Sequence, residues 1–240
     1  MKSLSPPAVE VQDLVKSFGN TKVLRGLNLK VEAGSTLVIF GPNGAGKTTL
    51  IKTLASVMRP TSGRILIDGL DYEKHDQEMR TRLGLVSHQS YLYGTLSAEE
   101  NLAFYGRMYG VAKLAERINE VLTLVGLATR RHDRVATFSR GMLQRLSLGR
   151  ALLHKPSILM LDEPDTGLDP QALSALWEMM RHDAPNRTII FTSHNFDRAL
   201  AAASEVIILA KGRVAWSAHS RELTVAALSD AYVRTAGGQP

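Results

Sequence analysis

Cysteine is absent from the whole chain of 240 residues. That excludes disulfides, thiolate metal sites and catalytic thiols, and it is compatible with the cytosol. No apolar run reaches the ~20 residues that a membrane-spanning helix needs. The nearest, Ala199 to Ala210, is interrupted by Ser204 and Glu205. Met1 to Glu10 lacks the apolar core of a secretory signal. The expectation is a soluble chain, or one held at a membrane by something else. There is no internal repeat, so a single unit is expected. Aromatic residues make up only 6% of the chain, which gives weight to any stretch where they gather.

What is present is a sizeable apolar complement, 44% of residues, and a net charge of +6. The sequence pI is about 9.6. Such a balance suits an acidic ligand, a nucleic acid or an anionic membrane surface, or it belongs to a solvated basic face. The apolar pattern divides the chain into strands and helices. Val9, Val11, Leu14 and Val15 suggest a strand closed at Phe18-Gly19. Val23 to Val31 alternates apolar and polar, as a strand wet on one face does. Ile65 to Ile67, Leu83 to Val86 and Thr188 to Phe191 read as short strands, and Leu37 to Phe40 and Ser157 to Leu161 as strands of the buried kind. Val206 to Leu209 and Val214 to Trp216 form a hairpin around Lys211-Gly212.

Helices are predicted over Ser97 to Tyr109, Ala112 to Val125, from Ser139, and over Gln171 to Arg181, Phe196 to Ala202 and Glu222 to Val233. Ser97 stands at the capping-box distance from Glu100. Met1 to Pro7 reads as a loose leader. The alternation of strands and helices predicts an α/β fold with a mostly parallel sheet, an antiparallel β region and an inserted helical subdomain. One domain over 1–240 is expected, with its core in 1–89 and 138–240 and the helical part at about 90–137.

The chain is organised around Gly41-Pro42-Asn43-Gly44-Ala45-Gly46-Lys47-Thr48, followed by Thr49. The spacing is that of a phosphate-binding loop, placed between a strand and a helix. Glycines let the backbone approach a ligand, and the N–H groups face concentrated negative charge. Lys47 would reach the β- and γ-phosphates, and the Thr48 hydroxyl would ligate magnesium. A second cluster ends another strand: Ile158-Leu159-Met160-Leu161 runs into Asp162-Glu163. Asp162 suits the metal and Glu163 suits a base that polarises water. Two solvated acids are the plain alternative. Gln89 follows the strand Leu83 to Val86 and could ligate magnesium or orient water. His194 follows Thr188 to Phe191 and could contact the γ-phosphate and fix Glu163. Phe18 could stack on a base or belong to the core.

With these residues in place, the chain resembles the nucleotide-binding subunit of ATP-binding cassette (ABC) transporters over nearly its whole length. Gly41 to Thr48 looks like the Walker A loop and Leu159 to Asp162 like Walker B, with Glu163 as the catalytic glutamate. Gln89 matches the Q-loop, His194 the switch histidine, Thr166 to Asp169 the D-loop and Phe18 the base-stacking aromatic. Phe138-Ser139-Arg140-Gly141-Met142 stands where the family has its Leu-Ser-Gly-Gly-Gln signature. Arg140 and Met142 depart from that pattern, while Ser139 and Gly141 keep it. The resemblance implies ATP and magnesium as cofactors and a head-to-tail pair of ATPase subunits. In that pair Ser139 and Gly141 of one chain touch the γ-phosphate held by the other.

The resemblance further implies a separate membrane permease as partner and a place on the inner, cytoplasmic face of the cell membrane. Leu96 to Gly110 looks like the exporter ATPases, and among them the haem-exporter or cytochrome c maturation subunit, with drug and polysaccharide exporters beside it. Nucleic acid is not expected as a partner, and Arg130 to Arg134 reads as a solvated loop. A soluble ABC ATPase is the second reading. A P-loop GTPase or small-molecule kinase is the third, but no Asn-Lys-x-Asp is present to read guanine.

Overall fold

A computed structural model describes residues 6–164, Trp177 and 186–237. The D-loop stretch Thr166 to Asp169, the helix expected over Gln171 to Arg181 (Trp177 apart) and most of the leader lie outside the described residues.

Two sheets enclose the first helix. The smaller is antiparallel, in the order β2 (Thr21–Val31), β1 (Val9–Phe18), β4 (Ser62–Ile67), β5 (Leu70–Asp71). The larger has the order β10 (Arg213–His219), β9 (Glu205–Ala210), β3 (Thr36–Phe40), β8 (Thr188–Thr192), β7 (Ile158–Leu161), β6 (Leu83–Val86). Its strands from β9 to β6 pair in parallel, and β10 closes the edge antiparallel to β9. Strand β3 buries side chains on both faces. Leu37 and Ile39 join α1 (Lys47–Leu54) and the antiparallel sheet in one core cluster. Val38 and Phe40 join the helices behind the sheet in another. A continuous apolar run is what a strand covered on both faces requires.

Those rear helices are α5 (Arg140–Leu152), α6 (Phe196–Ala202) and α7 (Val225–Ala236). Between β6 and α5 lie α3 (Ala98–Met108) and α4 (Leu114–Leu124), with a third core cluster built on Leu102, Ile118, Val121 and Leu122. Helix α5 serves two clusters: Leu146 packs with α3 and α4, whereas Leu148 and Leu152 pack under the parallel sheet.

Several expectations shift. The alternation along Val23 to Val31 is broken, since Leu24, Leu27 and Val31 are buried while Leu29 is only half-buried. The register against β1 slips between Leu14 and Val15, beside Gly26 at φ +72°, which is what an irregular bulge does to a period of two. A short helix, α2 (Asp76–Arg82), and strand β5 were not apparent in the sequence. Arg130 to Arg134 is not merely solvated. Arg131 pairs with Glu99 at 2.7 Å and Arg130 with Asp133 at 2.9 Å. The Glu99 N–H donates to the Arg131 carbonyl at 3.0 Å, so this loop closes onto the start of α3.

Candidate functional site

In an open parallel sheet, ligands bind beyond the carboxyl ends of the strands, where the connections diverge. Here that point is β3, flanked by β8 and β9. The loop leaving β3 runs hard against the next strand: a Cβ at Gly41 would collide with the Leu209 carbonyl oxygen. Pro42 is half-buried, Asn43 and Gly44 are exposed at the crest, and the Ala45 side chain lies in the core. Ala45 can therefore offer only its backbone to a ligand. Among the described residues Ser97, Ser139, Asn195 and Thr224 cap four helices through their side chains, while α1, α2 and α4 lack such a cap. The N-cap of α1 is Gly46 at φ 104°, and its first turn carries no acid. The donor N–H groups and positive dipole end are left for an anion. Thr49, half-buried, is in that first turn.

Lys47 is buried, and its Nζ donates to the carbonyls of Gly41 at 2.6 Å and Pro42 at 3.3 Å. Burial pushes its pKa down, and the nearby Glu163 and Asp162 oppose this only in part. Asp162 is buried at the end of β7. Its Oδ1 accepts from Thr48 Oγ1 at 3.1 Å and from Thr192 Oγ1 at 3.1 Å. Its Oδ2 is buried with no hydrogen-bond partner. Among the described residues no group of three or more His, Cys, Asp or Glu could cage a metal. A hydroxyl and a carboxylate with one unused oxygen instead suit magnesium, which takes few protein ligands and completes its shell with water and phosphate oxygens.

Glu163 follows in a left-handed conformation, φ 54°, an unusual state for a residue with a Cβ. Thr192 holds the turn. Its hydroxyl accepts the Glu163 N–H at 2.8 Å while donating to Asp162. The carboxylate lies between two imidazoles: Oε1 is 3.1 Å from His194 Nε2 and Oε2 is 3.2 Å from His88 Nε2. Burial pushes the Glu163 carboxyl up, but the hydrogen bonds and charges of His194 and His88 together outweigh it and hold it below the usual range. Strand register explains the meeting. Val86 pairs with Leu161, and Leu161 with Phe191. His88 and Glu163 are each two residues past the first rung, and His194 is three past the second.

Thus Lys47, Thr48, Asp162, Glu163 and His194 come together. Gln89 does not join them. It is exposed, and none of the described hydrogen bonds carries its amide to Thr48, Asp162 or Glu163. The same loop presents His88 instead. Ser139 caps α5 by accepting the Met142 N–H at 3.3 Å, and a Cβ at Gly141 would meet nothing within 4 Å. Neither is bonded to the phosphate loop of its own chain among the described contacts. Arg140, between them, lines a cleft of about 170 Å³ with His88, Gln144, Asp162 and Glu163. Phe18 ends β1 and is 46% exposed, and Lys16 Nζ is 5.0 Å from its ring centroid. His88 and Thr192 were missed in the sequence. A histidine in a loop and a threonine at a strand end carry no signal until pairing brings them to Glu163.

The loop, the uncapped helix and the paired carboxylates define a nucleoside-triphosphate-binding protein of the P-loop kind. The model of the family described as "ABC transporter" matches residues 24–166. A linearmycin resistance ATP-binding protein of Bacillus subtilis is 34% identical over 86% of this chain and 67% of its own length. A bacitracin transport ATP-binding protein of Bacillus licheniformis is 37% identical over 86% of this chain and 68% of its own. A solved ATP-binding subunit of an ABC transporter superposes with a TM-score of 0.85 at 30% identity, over 95% of this chain and 99% of that one. The chain belongs to the ABC transporter family, as an ATP-binding subunit whose ATP hydrolysis drives transport.

Proposed function

We propose that this ATPase powers export through a separate membrane subunit, with two ATPase chains meeting head to tail. The observation that carries the catalytic reading is the Thr48–Asp162 contact with its unused buried Oδ2, beside a Glu163 held ready by hydrogen bonds. Lys47 exchanges its two carbonyl partners for β- and γ-phosphate oxygens. Thr48 and Asp162 would hold magnesium, whose charge would offset that of the phosphates. Glu163 polarises the attacking water, and His194 steadies it from β8. Phe18 stacks on the adenine. Gln89, exposed in the loop after β6, reaches the metal or the water only when that loop shifts. Ser139 and Gly141 serve the phosphate held by the second chain, which fits their open position at the N-terminus of α5. The unit spans 1–240, with its helical part at about 90–137.

A permease is the expected partner. Tyr93, Phe104 and Met108 are exposed apolar side chains, with Tyr93 and Phe104 edge to face at 5.2 Å. Apolar side chains gathered this way on a surface suit a partner's helix. Among the described residues no helix is long and apolar enough to cross a membrane, and we place the chain on the cytoplasmic face by way of that partner. Similarity to resistance and antibiotic-transport proteins supports export. The narrower assignment to haem export and cytochrome c maturation rests on the likeness of Leu96 to Gly110 alone.

Glu163→Gln tests the reading. It should bind ATP as the wild type does, lose turnover, and run as an ATP-dependent dimer in gel filtration. A monomer with normal hydrolysis would refute it.

A further inference from the structure

We infer that His88 is a positioning residue for the reaction: with His194 it clamps the Glu163 carboxylate, one imidazole to each oxygen, and fixes the plane in which that carboxylate meets water. The inference rests on Glu163 being the group that polarises the water. The last torsion of a glutamate is broad and nearly two-fold, so one hydrogen bond leaves the carboxylate free to turn. Contacts on both oxygens, 3.1 Å to His194 and 3.2 Å to His88, remove that freedom. They come from opposite sides. His194 follows β8 and His88 follows β6, and β7, which carries Glu163, lies between those strands. The base of the side chain is fixed as well, through the Glu163 N–H on Thr192. An ionised carboxylate only accepts, so each ring donates to it from Nε2. His88 also lines the same cleft as Asp162 and Glu163, so it borders both carboxylates.

The test is steady-state ATPase kinetics of the full chain carrying His88→Ala or His88→Gln, with Glu163→Gln as control. A base left free to turn should lower kcat for His88→Ala by roughly tenfold, since a misplacement of about 1 Å can cost about a hundredfold. KM for MgATP should stay within about twofold, since orientation of the base is not ATP binding. The His88 side chain is 57% exposed, so the midpoint of thermal unfolding should not move. His88→Gln, whose amide can donate to the same oxygen, should recover most of kcat. In the Glu163→Gln background, His88→Ala should have no further effect. Wild-type kcat in His88→Ala, with Glu163→Gln inactive, overturns the clamp. So does a joint fall in thermal midpoint and kcat that His88→Gln fails to repair, which marks a structural role. Normal hydrolysis by Glu163→Gln would instead overturn the reading of Glu163 itself.

Discussion

Thr192 is buried completely, and one hydroxyl does two jobs there, accepting from Glu163 and donating to Asp162. Thr192→Val keeps the shape and removes both bonds. Leaving this part-buried N–H unsatisfied costs toward the low end of about 1–3 kcal/mol. We expect that loss in chemical denaturation, together with a fall in kcat as the turn at φ 54° relaxes. His154 behaves differently, as a half-buried histidine away from the site. Its Nε2 is 3.0 Å from the Leu83 carbonyl, and its ring stacks on Tyr109 at 4.0 Å. Burial pushes its pKa down to about 4 from the ordinary 6.5. The neutral ring is the form the fold accepts, so its stabilising effect is complete above pH 6.5. It drains away as pH falls toward 4, because the unfolded chain takes up the proton first. The total is on the order of 3 kcal/mol. Stability measured from pH 7 to pH 4.5 should fall more steeply for the wild type than for His154→Phe, which keeps the stack but cannot titrate.

Helix α3 shows how a short element is held and what it presents. Ser97 and Glu100 form a full capping box, with Ser97 N–H to Glu100 at 2.7 Å and Glu100 N–H to Ser97 at 3.1 Å. Ser97→Ala should cost about 1 kcal/mol in denaturant melts. Asn101, wholly buried, ties the preceding segment to the helix. Its Oδ1 accepts the Tyr93 N–H at 2.8 Å, and its Nδ2 donates to the carbonyls of Tyr93 and Ser97. Asn101→Ala should raise hydrogen exchange across residues 91–97 before the rest of the fold loosens.

The aromatic residues of this region divide into two sets. Tyr91 packs against the main core and lies over the Arg150 guanidinium at 5.5 Å, and its carbonyl accepts from the Tyr105 hydroxyl. Tyr93 is 49% exposed. A polar change at Tyr93 is therefore the cleaner probe of permease docking. Tyr93→Asp should leave basal hydrolysis intact and reduce the amount of membrane protein recovered with the chain. Undiminished recovery would place the docking surface elsewhere.

At the scale of the whole molecule, the described residues bring the phosphate loop and the carboxylates together, while none of their hydrogen bonds ties Ser139 or Gly141 to that loop. Gly141 offers a test that separates folding from the proposed contact with a second chain. Its position is helical, and a Cβ there meets nothing within 4 Å. Gly141→Ala should raise stability by up to about 1 kcal/mol, since alanine loses less backbone entropy in a helix. If a second chain brings its γ-phosphate against this glycine, the same change should depress ATPase activity. Greater stability with full activity would argue against the trans contact. Ser139→Arg should abolish turnover with every Walker residue intact, and mixing it with Lys47→Ala should restore at most one working site per pair.

What the sequence determined by itself was everything carried by local pattern. The spacing from Gly41 to Thr48 requires a turn between a strand and a helix, whatever the rest of the fold does. Buried parallel strands read as apolar runs, and Ser97 with Glu100 announced a helix start, because capping is a contact between near neighbours in the chain. Asp162 and Glu163 were legible as strand-end acids. Local pattern failed where one element is bent or placed by another. The bulge in β2 broke the expected alternation, and Arg130 to Arg134 turned out to be a clasp on α3. The choice of His88 over Gln89 as the neighbour of Glu163 belonged to tertiary structure alone. It follows from the rung that pairs Val86 with Leu161, and strand register is a relation between residues 75 positions apart in the chain. The role of Thr192 was hidden for the same reason: its two partners arrive on a neighbouring strand, and only pairing of β7 with β8 brings them within reach.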